Sequence, residues 1–499
     1  MTSETAPHLL ETTQSERARG STTWRVAVIG GGLSGLAAAH RLAELCTQAG
    51  RPLELVLFEA GPGVGGLVGT RVIGEYRVEL GADSFITNKP WAVNLCRRLG
   101  IEDRLISTDA RYRRSLVLRR GKPLPVPDGF QLLSPVDMGA VLRSRIFSWP
   151  GKLRMAMEYL VPRGGSDGDE SLAHFVRRRF GNEALERLVQ PLVGGIYTSD
   201  PEKLSLKATM PRFLEMEREH GSLIRALKRQ KTAGRDDDPS ASGARYGLFT
   251  TPASGISELV EALTAKVSRA ATMRLDTEVE RIVPHADSRG YILELPAGTQ
   301  AHFDAVVVAL PAWRAARLID GFAARAAAEL GRIEYASTAI VVSGHKLADV
   351  RHPLDAFGLV VPAIEKRKIL AVSFTSRKFS DRAPTGCVQL RTFVGGAMQP
   401  ELMDLSDEEI KRLVRGELED IFGLTWQPDF ALVARWMRSM PQYHVGHLNI
   451  VAGIEREMAP FPNLALAGNA LYGVGIPDSI HSGELAAERV FASTSGFPA

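Results

Sequence analysis

Cysteine is scarce in this chain. Cys46, Cys96 and Cys387 are the three among 499 residues, odd in number and far apart, which argues against a disulfide scaffold and gives no spacing for a cysteine-held metal. Long hydrophobic runs are also missing, and nothing approaches the run of about 20 apolar residues that spans a bilayer. Residues 1–22 are rich in Ser, Thr and Glu without an apolar core, so a disordered tail is expected there and not a secretion signal, and the protein is expected in the cytoplasm. Neither sign of charge dominates: 61 Lys and Arg stand against 57 Asp and Glu, and with no zinc-finger motif present no nucleic-acid partner is expected. There is no His-Glu-x-x-His run, and the Gly-x-Ser-x-Gly string Gly164 to Gly168 reads as a loop among helix formers with no strand before it to make a nucleophile elbow, so no metal site and no hydrolytic nucleophile are expected. Redox work would fall to a bound cofactor, and no catalytic side chain is assigned.

What is present is an ordinary globular balance, 44% apolar and 24% charged, in a chain long enough for two or three domains. Its organising stretch is Trp24 to Leu42. An apolar strand, Trp24-Arg25-Val26-Ala27-Val28-Ile29, turns through Gly30-Gly31-Gly32-Leu33-Ser34-Gly35 into a segment of helical composition. In such a unit Gly30 makes the tight turn, Gly32 lets backbone approach a pyrophosphate, and Gly35 lets helix pack on strand. The helix N-terminus adds unpaired N–H groups and a partial positive charge. A second strand, Leu53 to Glu59, ends in a carboxylate placed for adenosine ribose hydroxyls, which would repel a 2′-phosphate. FAD or NAD is therefore expected, and not NADP.

Downstream, Gly61-Pro62-Gly63-Val64-Gly65-Gly66-Leu67 forbids helix and lets backbone lie against something flat or charged. Val78 to Phe85 reads as a strand ending in a glycine corner, and Pro90 to Leu99 as a helix stopped by Gly100. Tyr112 to Pro127 reads as a hairpin with a dense basic cluster. From Pro135 to Lys231 helix formers dominate, interrupted by Gly164 to Gly168. Here Arg143, Arg145, Lys152 and Arg154 alternate with Ile146, Phe147, Trp149, Leu153 and Met155, either a basic surface lying on a membrane or a helix packed on a core. Glu186 to Pro201 reads as a helix, a glycine turn at Gly194-Gly195 and a loop, and Gly234 to Gly243 as a surface loop. Met273 to Ile282 and Phe303 to Pro311 read as strands, the latter of the buried parallel type. Strands at Thr338–Ser343, Ile369–Thr375 and Val388–Val394 mark a second α+β unit, and Leu464 to Asn469 leads through Tyr472-Gly473-Val474-Gly475-Ile476 into a last helix.

The fingerprint, the acidic strand end, the downstream Gly-Gly pair and the Gly81-Ala82-Asp83-Ser84 corner resemble the flavin-containing amine oxidase superfamily. Gln190-Pro191-Leu192-Val193-Gly194-Gly195-Ile196-Tyr197 and Gly473-Val474-Gly475-Ile476-Pro477-Asp478 resemble its porphyrinogen oxidases of haem synthesis. Gly63 and Leu67 stand where those relatives carry longer side chains, so backbone contacts to the phosphates are implied there. The fold class implied is an α/β FAD-binding (Rossmann-like, two-dinucleotide-binding) domain with an α+β substrate domain and an inserted helical domain. After a 1–22 tail, the FAD-binding domain would comprise 23–108, 247–320 and 432–492; 109–134 would be a substrate-domain hairpin, 135–232 the helical insertion and 321–431 the substrate domain.

The resemblance implies cofactor contacts from Gly30, Gly31, Gly32, Leu33, Ser34, Gly35, Leu36, Glu59, Ala60, Gly65, Gly66, Leu67, Gly81, Ala82, Asp83 and Ser84. It adds Val279 through its backbone, Trp436, Gly468, Val474, Gly475 and Ile476. For substrate it implies Arg114 on a propionate and a tetrapyrrole slot from Gly195, Phe357, Gly358, Val360 and Phe393. The implied reaction is six-electron oxidation of coproporphyrinogen III or protoporphyrinogen IX, in three two-electron steps to FAD with O2 as acceptor. Product handover to the next haem-synthesis enzyme would follow. The basic hairpin favours the tetracarboxylate substrate. An amine oxidase, a carotenoid desaturase, or a non-catalytic binding protein like those that extract prenylated GTPases would share the cradle, and the last should purify colourless.

Overall fold

The computed structural model describes residues 23–135, 137–164, 168–232, 249–285 and 290–493. The expectations for the 1–22 tail and the Gly234–Gly243 loop, and for Gly165 to Asp167 of the 164–168 loop, lie outside these residues.

The two large sheets are built from β1 (Trp24–Ile29), β2 (Leu53–Phe58), β3 (Ser115–Arg119), β4 (Lys122–Pro125), β5 (Ala271–Arg274), β6 (Ala305–Val308), β7 (Tyr335–Lys346), β8 (Gly358–Val360), β9 (Ala371–Phe374), β10 (Cys387–Gly395), β11 (Phe430–Pro441) and β12 (Leu464–Leu466). Helices that matter here are α1 (Leu33–Gln48), α2 (Trp91–Leu99), α3 (Trp149–Ala156), α4 (Gln190–Tyr197), α5 (Asp407–Phe422), α6 (His447–Met458) and α7 (Ile476–Ala492).

The first sheet is parallel throughout, in the order β5-β2-β1-β6-β12. Its central strands β1 and β6 are buried on both faces because helices cover both. Val26, Val28 and Val307 pack with α1 and α7, while Ala27, Ile29, Val306 and Val308 pack with the helices Ala312–Ile319 and Ala324–Gly331. The chain thus returns to this sheet from both ends. α1 and α7 lie backbone to backbone, for a Cβ on Gly483 would sit 2.1 Å from Ser34 O.

The second sheet runs β11-β7-β10-β9-β8-β3-β4, antiparallel except for the β8–β3 pair. Side chains alternate across it. Val388, Leu390 and Val394 of β10 face α5 with Ile410, Val414 and Leu418, whereas Phe393 packs among Tyr76, Val78, Ile340, Val342 and Trp436.

Four expectations need correction. Met273–Ile282 is not one strand: Ala271–Arg274 joins the parallel sheet, Arg281–Pro284 joins another, and Asp276 between them has φ +51°. The second sheet continues past residue 431, since β11 pairs with β7 out to Tyr335–Pro441, so Trp436 belongs to it and not to a 432–492 unit. Residues 321–333 pack beneath the parallel sheet through Ala323, Ala327, Leu330 and Ile333, so the second unit begins at β7 and not at 321. Gly194 and Gly195 lie inside α4, which Pro191 opens and Thr198, at φ +49°, ends. The turn comes at Thr198, three residues later than composition suggested.

Candidate functional site

The three glycines of the first turn do three different things. Gly30 has φ +105° and a Cβ there would meet Ala309 O at 2.4 Å. A Cβ on Gly35 would lie 1.9 Å from Gly30 O, so helix and strand touch only because it is absent. Gly32, by contrast, has nothing within 4 Å of its Cβ position and forms the N-cap of α1 with no side-chain cap. It leaves helix-start N–H donors and a dipole facing open space, the arrangement that receives phosphate.

Around that opening the other predicted residues gather. Glu59 accepts from Gly31 N–H at 2.7 Å and from Gly61 N–H at 2.8 Å, tying two glycine loops together. A carboxylate has about four acceptor positions, so it retains capacity for a ribose. Gly65 N–H donates to Gly31 O at 2.9 Å, and a Cβ on Gly66 would be 3.2 Å from Gly32 Cα. Ala60 and Leu67 are exposed beside them, and Leu33 and Ser34 are buried at the helix start. Leu36 must be removed from the set: its side chain is fully buried in the core and its N–H is bonded to Gly32 O. Val279 precedes Arg281–Pro284, its side chain packed in the same cluster as Phe58.

The corner Gly81 to Ser84 is held from the second sheet. Trp436 Nε1 donates to Leu80 O at 2.8 Å, Arg391 donates to Gly81 O, and Asp83 pairs with Arg391 and Lys378 at 3.0 Å each. Burial alone would raise the Asp83 carboxyl, but the Lys378 and Arg391 cations outweigh it and hold the group well below the usual carboxylate range. The side chains of Asp83 and Ser84 are thus engaged within the protein, Ser84 Oγ with Asp83 and Lys378, and only Ala82 is exposed. Sequence reasoning missed Arg391 and Lys378. The available signal was a cation in the middle of an apolar strand, which requires a buried acid.

At the far end of the parallel sheet Gly468, at φ +129°, donates to Ser482 Oγ, and Gly475 is the N-cap of α7, again without a side-chain cap. Val474 packs toward the helical region and Ile476 is buried. Two uncapped helix starts therefore adjoin the C-terminal ends of strands of one parallel sheet. A long dinucleotide with a phosphate middle and an electron-rich end fits that pair.

The pattern of the flavin containing amine oxidoreductase family matches residues 33–491. The chain belongs to that family. The coproporphyrinogen III oxidase of Bacillus subtilis (strain 168) is 34% identical over 92% of this chain and 96% of its own length. That of Staphylococcus aureus (strain NCTC 8325 / PS 47) is 31% identical over 94% and 99%. A crystal structure from Exiguobacterium sp. 255-15, provisionally named a protoporphyrinogen oxidase, superposes with TM-score 0.84 at 27% identity, covering 95% of this chain and all of that one. Membership in this flavin family makes FAD the cofactor, in agreement with the two-ended cradle and the acidic strand end.

Of the substrate residues, Gly195 and Val360 come together: a Cβ on Gly195 would be 4.0 Å from Val360 Cγ1. Val360 and Phe393 sit on the sheet face opposite α5, but Phe393 packs into the core beside Trp436 while Val360 packs toward the helical region. A Cβ on Gly358 would meet Val372 O at 2.4 Å, so this glycine serves strand packing, and Phe357 beside it is buried. Arg114, just before β3, binds the side chain and carbonyl of Asp355 at the surface. Among the described residues no cluster of acids, His and Cys could hold a metal ion.

Proposed function

We propose that this protein oxidises coproporphyrinogen III to coproporphyrin III, with O2 as final acceptor. The observations that carry the reading are the two uncapped helix starts of the flavin cradle and, on the second sheet, Val360 within 4.0 Å of where a Cβ on the exposed Gly195 would lie. Its support over protoporphyrinogen is the pair of coproporphyrinogen oxidases at 34% and 31% identity, against 27% for the structure named for the other substrate. Bound FAD supplies two-electron acceptance, used three times per macrocycle. The chain's own residues orient: Gly195 and Val360 hold the ring, and Arg114 takes a propionate in place of Asp355, an exposed pair worth roughly 0–1 kcal/mol and easily exchanged. No side-chain base is assigned.

Oxygen uptake by the FAD-loaded protein is expected with either porphyrinogen, with kcat/KM at least tenfold higher for coproporphyrinogen III. Equal or reversed preference would remove the tetracarboxylate assignment, and uptake with neither would remove the activity.

The helical region bears on location. Among the described residues no helix is long and apolar enough to cross a membrane. Ile146, Phe147 and Met155 are core, as one of the two sequence readings required, yet Trp149, Leu153, Met157 and Leu160 are 72%, 65%, 47% and 78% exposed along one line of α3 and the turn after it. Arg143 and Arg145 are exposed close by. An apolar line beside cations fits the surface of an anionic bilayer, where burying each large side chain contributes up to ~2 kcal/mol. The protein is expected to float with phosphatidylglycerol-containing vesicles and not with phosphatidylcholine alone. The Trp149→Ser/Leu153→Ser variant should lose at least tenfold in that binding; retention of full binding would refute docking through this face.

A further inference from the structure

The turn between β12 and α7 presents the second uncapped helix start, and its shape is imposed from outside the parallel sheet. Tyr443, two residues past β11, is 2% exposed. Its hydroxyl donates to Asn469 O at 2.6 Å and accepts from Gly473 N–H at 2.7 Å. His447, the first residue of α6, stacks on the Tyr443 ring at 3.9 Å and 12°, and its Nε2–H donates to Leu471 O at 3.0 Å. Attachment points 469, 471 and 473 alternate, so the whole length of the turn is fastened to one rigid pair of rings.

Gly473 itself needs that support. It has φ +146°, and a Cβ would collide with the Asp478 side chain, whose carboxylate Lys89 holds at 2.6 Å. Tyr443 is also anchored on the other side. Its own carbonyl accepts from Ser205 N–H at 2.8 Å, and Asp169 bridges Ser205 Oγ to Gly446 N–H. Tyr443 belongs to the same buried cluster as Leu206 and as Leu192 and Val193, the last two on α4, the helix that also carries Gly195. Burial drives the phenol far above its ordinary ionisation range, so it stays a hydroxyl that can donate and accept at once.

We propose that Tyr443 is a positioning residue for the flavin: its hydroxyl fixes residues 469–475, sets the direction of the α7 helix start toward the cofactor, and links that direction to the helical region. The inference rests on the flavin cradle and not on which porphyrinogen is oxidised, so a failed substrate assay leaves it standing.

Tyr443→Phe keeps the ring, the stack on His447 and the packing, and removes the one oxygen that bridges Asn469 and Gly473. Holoenzyme of the variant is expected to bind FAD about tenfold more weakly, the loss of a buried hydrogen-bonded bridge. It should also show displaced visible flavin bands and a changed flavin midpoint potential, read by absorbance during dye-linked reduction. A lower melting temperature of cofactor-stripped protein with unchanged flavin bands and FAD affinity would mean a purely structural tyrosine and overturn the proposal. Should Tyr443→Phe fail to fold, His447→Leu removes only the 471 attachment and the stack. A smaller band displacement of the same sign supports the clamp, and native bands and potential in that variant overturn it.

Discussion

Gly35→Ala is expected to yield a colourless protein. The added Cβ would lie 1.9 Å from Gly30 O, a backbone atom that cannot swing aside, so α1 must lift from β1 and carry its N-terminus away from Glu59 and Gly65. Overpacking of this kind costs about 1–3 kcal/mol. It should appear both as a lower melting temperature of the cofactor-stripped protein and as loss of FAD in a fluorescence titration. Gly32→Ala makes the informative contrast. Its backbone, at φ −69° and ψ 177°, suits any residue, and its Cβ would touch no protein atom. The stripped protein should melt as wild type does, within the ±0.5 kcal/mol of an unconstrained site, while FAD affinity falls at least tenfold because the methyl group occupies the phosphate approach. If Gly32→Ala binds FAD normally, the α1 helix start is not where the phosphates lie.

The second large effect is expected at Asp83. Replacing it by Ala leaves Arg391, 2% exposed, and Lys378 without their carboxylate, and breaking such a pair from one side costs about 3–5 kcal/mol. Adding Arg391→Met should restore part of the loss, so the double variant should be more stable than the two single costs predict; strict additivity in denaturant unfolding would show that the groups do not act together. The same pair sets an acid limit. The folded carboxyl is held below its unfolded value of about 3.9, so its contribution is complete above that pH and disappears as pH falls through the folded value. Wild type should therefore lose stability steeply below about pH 4, and Asp83→Asn should show a shallower acid slope. The opposite order of slopes would contradict the ion pairing.

Much of the parallel sheet was legible because local rules write it directly. Continuous apolar runs at Trp24–Ile29 and Ala305–Val308 announce strands covered on both faces, and glycine spacing announces a helix start left open for phosphate. Where local composition misled, a distant partner had decided. Met273–Ile282 has strand composition throughout, yet its two halves find different sheets across Asp276. Trp436 reads as part of a closing cofactor segment, yet pairing with β7 carries it into the second sheet, from which its indole reaches Leu80. Gly194-Gly195 reads as a turn, yet helix continues through both because the flanking Pro191 and the packing on Val360 suit it.

By itself, then, the order of residues determined the strand, glycine turn and helix at each end of the chain and the acid after β2, since those depend on backbone freedom and local spacing, and these called for FAD or NAD, the flavin being implied by the family resemblance. Tertiary structure alone decided that Arg391 and Lys378 meet Asp83, that Tyr443 reaches across to Asn469 and Gly473, and that Gly483 lies against Ser34. The reason is physical: a buried charge, a hydroxyl or a missing Cβ acquires its meaning from whatever the fold brings within hydrogen-bond or van der Waals reach, and those partners lie from 26 to several hundred residues away.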